Sequence, residues 1–169
     1  MLGSRESAII DPIMAQAKKI LFVCTGNICR SAMAEHLLRH LAKTRGLALE
    51  TSSRGTAAES YYEVPEVVRC LLAAKGVPPF EHKARFLTRE ALSWADVVFA
   101  MTEMHAETIT DAYPEFTSKV HLFREAAGFG PGDVEDPMGQ PDEFYEKCLA
   151  IIEESLEALI KLGFEPAKA

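Results

Sequence analysis

Apolar and polar positions alternate between two periods along this chain. Lys19-Ile20-Leu21-Phe22-Val23 is a short apolar run closed by Cys24-Thr25-Gly26-Asn27, and its length and Gly/Asn boundary predict a buried strand. From Ser31 the apolar positions Ala34, Leu37, Leu38 and Leu41 recur at helical spacing, with Ser31 as a cap and Gly46 past the stop. Leu47, Leu49 and Thr51 alternate as a second strand that is expected to end before Ser52-Ser53-Arg54-Gly55. Pro65 opens a helix carrying Val67, Val68, Leu71 and Leu72 and ending at Gly76. A short helical segment starts at Thr88, and Val97 to Met101 is the clearest buried strand in the chain. Thr102 to Tyr113 reads as helix, stopped by Pro114, and Val120-His121-Leu122-Phe123 reads as a fourth strand. A Gly/Pro/Asp loop from Gly128 to Gly139 precedes a last helix over Asp142–Leu162, with Phe144, Cys148, Ile151, Ile152, Leu156 and Leu159 on one face.

Strands alternating with helices predict an α/β fold: a single doubly wound domain whose parallel sheet is covered on both faces. The 169 residues suffice for one full core. Residues 1–18 show no period, and they are expected to be a loose N-terminal extension or a cloning remnant, with Met14 as the natural start. The domain is placed at 19–169.

Composition narrows the function. A net charge of -7 argues against non-specific nucleic-acid binding, which needs clustered cations to replace counterions. No apolar run is long enough to span a bilayer, and the N-terminus lacks the apolar core of a signal peptide, so a cytoplasmic protein without membrane partners is expected. Cys24, Cys29, Cys70 and Cys148 form no secreted disulfide framework, and the Cys24/Cys29 pair lacks a second pair at zinc spacing. Cys70 and Cys148 fall on apolar helix faces and are expected in the core.

The chemistry is concentrated in Cys24-Thr25-Gly26-Asn27-Ile28-Cys29-Arg30-Ser31, a loop between a buried strand and a helix N-terminus. A bare C-x5-R is found easily by chance; in this setting it is much rarer. Successive backbone N–H groups of such a loop form a concavity for an anion, and the helix start adds partial positive charge. A cysteine beneath that concavity feels the same field, which favours the thiolate. Arg30 offers a planar fork for two phosphoryl oxygens, and Ser31 is placed to donate to the sulfur. Taken singly, Cys24 reads as a buried strand-end cysteine and Ser31 as a cap; the combination points to phosphoryl transfer.

Expelling an alkoxide or phenolate needs a proton donor. Asp136, in Asp133-Val134-Glu135-Asp136-Pro137, follows the fourth strand. Loops at strand C-terminal ends converge on one crevice in a parallel sheet, and Pro137 restricts the Asp136 backbone. Asp133 and Glu135 are the fallback candidates, and an Asp-Pro turn is the plain alternative.

These residues resemble the low-molecular-weight protein tyrosine phosphatase family over about residues 19–162, in the loop Cys24 to Ser31 and in Asp136-Pro137. The resemblance implies a four-stranded parallel sheet and a two-step hydrolysis of phosphorylated protein substrates. In it Cys24 is the nucleophile, Arg30 binds phosphate and Asp136 is acid then base; no metal or organic cofactor takes part. It also implies that Asn27, Ser53 and His82 brace the phosphate loop with Ser31. Cys29 would form a reversible disulfide with the nucleophile, and the protein would act as a monomer. The segments around Asp96 to Thr102 and Asp136-Pro137-Met138-Gly139 look most like a bacterial branch containing protein-arginine phosphatases. Ile28, where arginine-specific members have threonine, fits the tyrosine type. Glu59 stands where many members have an entrance aromatic, with Tyr61 and Tyr62 nearby. A thioredoxin-coupled arsenate reductase shares the loop, but residues 76–95 contain no relay cysteine. A phosphate-binding module without turnover would lack the nucleophile or the acid.

Overall fold

In a computed structural model of the chain, residues 12–163 are described. A short helix α1 over residues 12–16 leads into β1 (Lys19–Cys24), α2 (Arg30–Arg45), β2 (Glu50–Gly55), α3 (Glu66–Ala74), α4 (Arg89–Trp94) and β3 (Val97–Ala100). Then follow α5 (Glu103–Ala112), a 3-10 turn at Pro114–Lys119, β4 (Val120–Leu122), α6 (Phe123–Ala126) and α7 (Asp142–Gly163). The strands form one parallel sheet in the order β2-β1-β3-β4.

The strand period sorts β1 between two cores. Ile20, Phe22 and Cys24 point to one face, under α2 and α7, where Phe22, Phe99 and Phe123 meet with ring centroids 5.5–5.9 Å apart. Leu21 and Val23 point to the other, against Leu92 of α4 and Ile109 of α5. Both faces are dry, so β1 and β3 read as unbroken apolar runs rather than alternating ones. The helix α2 stops where expected: Gly46 is left-handed at φ 65°, and its N–H and that of Leu47 both reach the Ala42 carbonyl.

Four expectations are corrected. The second strand runs over Glu50–Gly55, later than the Leu47–Thr51 alternation. It is the sheet edge, and its parallel register with β1 is set by backbone pairing from Lys19↔Glu50 to Cys24↔Gly55, which needs few apolar side chains. Phe144 is exposed; the buried face of α7 runs instead through Tyr145, Cys148, Leu149, Ile152, Leu156 and Leu159. Cys70 is exposed on α3, whose buried residues are Val68 and Leu72, whereas Cys148 is buried as expected. Of the extension expected over 1–18, residues 1–11 lie outside the described residues. The remainder packs: Met14 is fully buried in the main core, because α1 lies against the end of α7 and Ala15 meets Gly163.

Candidate active site

The loop after β1 turns sharply at Asn27, the one non-glycine with positive φ (59°) among the described residues. Asparagine tolerates this conformation because its short side chain bonds locally. Its amide donates to Ser31 Oγ at 2.9 Å and Ser53 Oγ at 2.7 Å, and its Oδ1 accepts from the Arg85 backbone N–H at 3.0 Å. Gly55 lets β2 approach from below: a Cβ there would lie 2.3 Å from the Thr25 carbonyl oxygen and 3.0 Å from the Asn27 nitrogen. The amides of residues 26–29 have no hydrogen-bond acceptor within the chain among the described residues. They are free for an anion.

Cys24 ends β1 with its Sγ 2.9 Å from Ser31 Oγ. Since Asn27 donates to that hydroxyl, its own hydrogen is left for the sulfur. Ser31 is therefore no helix cap; the residue preceding α2 is Cys29, which makes no side-chain cap bond. Arg30 is almost wholly buried, donating to the Val134 carbonyl at 3.0 Å and lying 3.5 Å from Thr25 Oγ1. Its Nε is buried and unpartnered. An unpaired guanidinium N–H costs free energy unless a ligand takes it, which suits an incoming phosphoryl oxygen.

The loop after β4 supplies the opposite wall. Val134 is fully buried and its N–H bonds the Met101 carbonyl at the end of β3, which pins the segment. Two residues on, Asp136 is half-exposed, with Oδ2 3.5 Å from Arg30 and Oδ1 accepting from the Met138 N–H. The fallback candidates separate here: Asp133 accepts from the Glu103 N–H at the start of α5, and Glu135 does not line the cleft. The cleft has a volume of about 290 Å³ and is lined by residues 24–26 and 28–30 together with Tyr62, Asp136 and Met138. Tyr61 and Glu59 lie outside this lining.

Behind the loop, Ser53 takes the Asn27 hydrogen bond and donates to Glu35. His82 Nε2 faces the Asn27 carbonyl at 2.7 Å; a carbonyl only accepts, so this nitrogen carries the proton. His82 Nδ1 then accepts from His36 Nε2 at 2.9 Å, and His36 Nδ1 accepts from Arg39 at 3.3 Å. Both rings are neutral in this chain of bonds. Burial agrees, pushing His36 down from 6.5 to about 4 and His82 down as well. Glu35, His36 and His82 bring one ligand atom each within 4.8 Å of one another, but all are committed to these bonds and Arg39 and Arg69 face the group. On the other side, His105 joins Thr25 Oγ1 at 2.8 Å to Thr102 Oγ1 at 2.9 Å, and burial with the Arg30 charge holds it down at about 4. Burial pushes Cys29 up to about 12, with Cys24 and Asp136 adding to the shift; Cys29 is a neutral thiol.

The structure thus gathers Cys24, Thr25, Gly26, Ile28, Cys29, Arg30 and Asp136 on one cleft, and Asn27, Ser31, Ser53 and His82 behind it. Sequence reasoning missed Glu35, His36 and His105. Glu35 was detectable as a charge one turn after Ser31 among apolar α2 positions. His105 was detectable as a histidine just past the C-terminal end of β3.

The parallel sheet with a cysteine loop at its carboxyl edge, together with the family match that follows, makes this a cysteine-dependent phosphatase. The chain matches the family model for low molecular weight phosphotyrosine protein phosphatase over residues 19–165, and it belongs to that family. It is 36% identical over 143 residues to a protein-arginine-phosphatase of Bacillus subtilis, covering 84% of this chain and 94% of that one. It is 32% identical to a probable low molecular weight protein-tyrosine-phosphatase of Ralstonia solanacearum, covering 85% and 94%. Among solved structures, the low molecular weight protein tyrosine phosphatase of T. tengcongensis superposes with a TM-score of 0.81 at 35% identity, covering 85% of this chain and 98% of that one.

Proposed function

We propose that this enzyme hydrolyses phosphotyrosine in protein substrates through a phosphate ester of Cys24. The Cys24 thiolate attacks phosphorus, the P–O bond to the phenol breaks, and Asp136 gives its proton to the departing oxygen. The Asp136 carboxylate then takes a proton from water, whose oxygen displaces sulfur from phosphorus and releases phosphate. Arg30 and the amides of residues 26–29 bind the charge on the equatorial oxygens, and Ser31 stabilises the sulfur as nucleophile and leaving group. Asn27, Ser53 and His82 hold the loop in shape. No step uses a metal or an organic cofactor. A peroxide that oxidises Cys24 to the sulfenic acid would be followed by attack of Cys29, forming a disulfide and releasing water. No helix among the described residues is long and apolar enough to cross a membrane. A monomer working in the cytoplasm is part of the same proposal.

The observation that carries the mechanism is Cys24 Sγ at 2.9 Å from a hydroxyl with a spare hydrogen, beside the unpartnered Nε of Arg30. For the substrate, it is the cleft wall of Ile28, Tyr62 and Met138, an apolar slot for a flat ring. The one carboxylate on the lining is Asp136, next to Arg30, so a substrate guanidinium would find no carboxylate of its own there. A phosphoarginine reading is favoured by the Bacillus relative named for that activity.

Phosphate release from phosphotyrosine and phosphoarginine peptides, measured side by side with Cys24→Ser as blank, separates the two. Phosphotyrosine should be preferred, with the preference narrowed in Ile28→Thr. A phosphoarginine preference keeps the mechanism and overturns the substrate; release from neither peptide overturns the reading.

A further inference from the structure

On the outer side of the edge strand β2, away from the cleft described above, lies a second cavity of about 430 Å³. Arg39, Arg54 and Arg85 line it together with Glu35, Glu90, Ser52 and Trp94. The chain as a whole carries a net charge of -7, so three guanidinium groups on one cavity run against its overall sign. Glu35 pairs with Arg39, which leaves Arg54 and Arg85 without a carboxylate of their own. Glu35 is buried and already accepts from Arg39 and Ser53. Neither Arg54 nor Arg85 has a carboxylate within ion-pairing distance among the described residues, and Glu90 joins no ion pair there either.

What Arg54 and Arg85 share instead is a neutral oxygen. Arg54 donates to Ser52 Oγ at 2.8 Å and to the Ser53 carbonyl, and Arg85 reaches the same Ser52 Oγ at 3.4 Å. Two like charges converging on one hydroxyl repel each other, and burial with the Arg85 charge holds Arg54 below the usual guanidinium range despite the opposing pull of Glu35. An oxyanion supplies what the hydroxyl lacks: negative charge and several acceptor lone pairs for forked donors. The volume exceeds what a single phosphate needs, and the indole of Trp94 forms part of the wall.

We propose that this cavity is a second anion site that takes a compound carrying two or more linked phosphate groups, gripped by Arg54 and Arg85 with Arg39 at its side. The site touches the back of the phosphate loop: the Arg85 backbone N–H holds Asn27 Oδ1, and Arg39 ends the hydrogen-bond chain through His36 and His82. Its occupant therefore lies one residue from the loop without entering the cleft.

Trp94 is the only tryptophan in the chain, so its emission reports this cavity. Pyrophosphate titrated calorimetrically into the wild type should fill two sites. In Arg30→Ala the phosphate-loop site should weaken while the second site and its Trp94 emission change persist. In Arg54→Ala/Arg85→Ala the emission change should vanish and second-site affinity fall about tenfold or more, as expected for losing charge-assisted bonds, with loop binding retained as the sign of intact folding. A single site in the wild type, or an Arg30→Ala protein in which the Trp94 response is lost, overturns the proposal.

Discussion

The two sides of the phosphate loop are made from the same eight residues and treated in opposite ways. Toward the rear, Asn27 satisfies its amide, its Oδ1 and its carbonyl, and Ser53, Glu35, His82 and His36 continue that pairing inward from Arg39. Toward the cleft, the Arg30 Nε is left unpartnered, the amides of residues 26–29 have no acceptor within the chain among the described residues, and Asp136 stays half-exposed. The rear spends its hydrogen bonds on rigidity. The front keeps them unspent for a ligand whose charge changes during reaction, which is where fixed donors gain most. Substitutions at the front should therefore cost rate, and those at the rear should cost stability first.

The largest effect is expected at Asp136. Asp136→Asn should lower kcat/KM for a phosphotyrosine peptide by about 10²–10⁴-fold, the usual worth of a positioned acid, and by less for a substrate with a better leaving group. Steady-state rates on the two substrates check this; equal losses would break the assignment. Next comes Arg30→Lys, which keeps the charge and loses the fork. A fall of about 10²–10³-fold in kcat is expected, comparable to removing one transition-state donor. An unchanged rate would mean that charge alone suffices.

At the rear, Ser53→Ala strips a partner from both Asn27 and Glu35. The expected cost is about 1–3 kcal/mol in denaturant unfolding, with a smaller change in rate than either front variant. A rate loss matching Asp136→Asn without loss of stability would erase the distinction between the two sides.

How far the sequence alone reached follows the same division. The cleft residues are contiguous or sit in a short Asp-Pro segment, so loop chemistry and the strand–loop–helix context announced them. The brace is assembled from α2, β2 and the segment before α4, and only packing brings it together. Ser53 and His82 were reached by family resemblance, not by spacing. Glu35 and His36 look like ordinary helix residues until the His82 ring is placed beside them. In the fold, β1 and β3 were legible because burial on both faces leaves unbroken apolar runs. The edge strand β2, Glu-Thr-Ser-Ser-Arg-Gly, was displaced because its pairing is set by backbone register and its side chains serve the loop and the arginine cavity.

The smallest expected effect is on pH dependence. An unfolded His36 would bind a proton near 6.5, whereas burial holds the folded residue near 4. Its contribution is thus present in full above pH 6.5 and is lost as pH falls toward 4, where the unfolded chain binds more protons. His105, held near 4 by burial and Arg30, acts in the same direction. His36→Phe, which keeps a ring against Phe80, should make the fall in Tm between pH 6.5 and 4 shallower; an identical slope would remove His36 from the account.

The central claim is that Cys24 carries the phosphoryl group. Asp136→Asn, slowed in the hydrolytic step, is mixed with an aryl phosphate whose leaving group departs without a proton and quenched in acid within the first turnover, and its peptides are then mapped by mass. The account predicts a phosphate adduct on the peptide bearing Cys24, absent in Cys24→Ser. Turnover with no adduct, or an adduct that survives in Cys24→Ser, would contradict it.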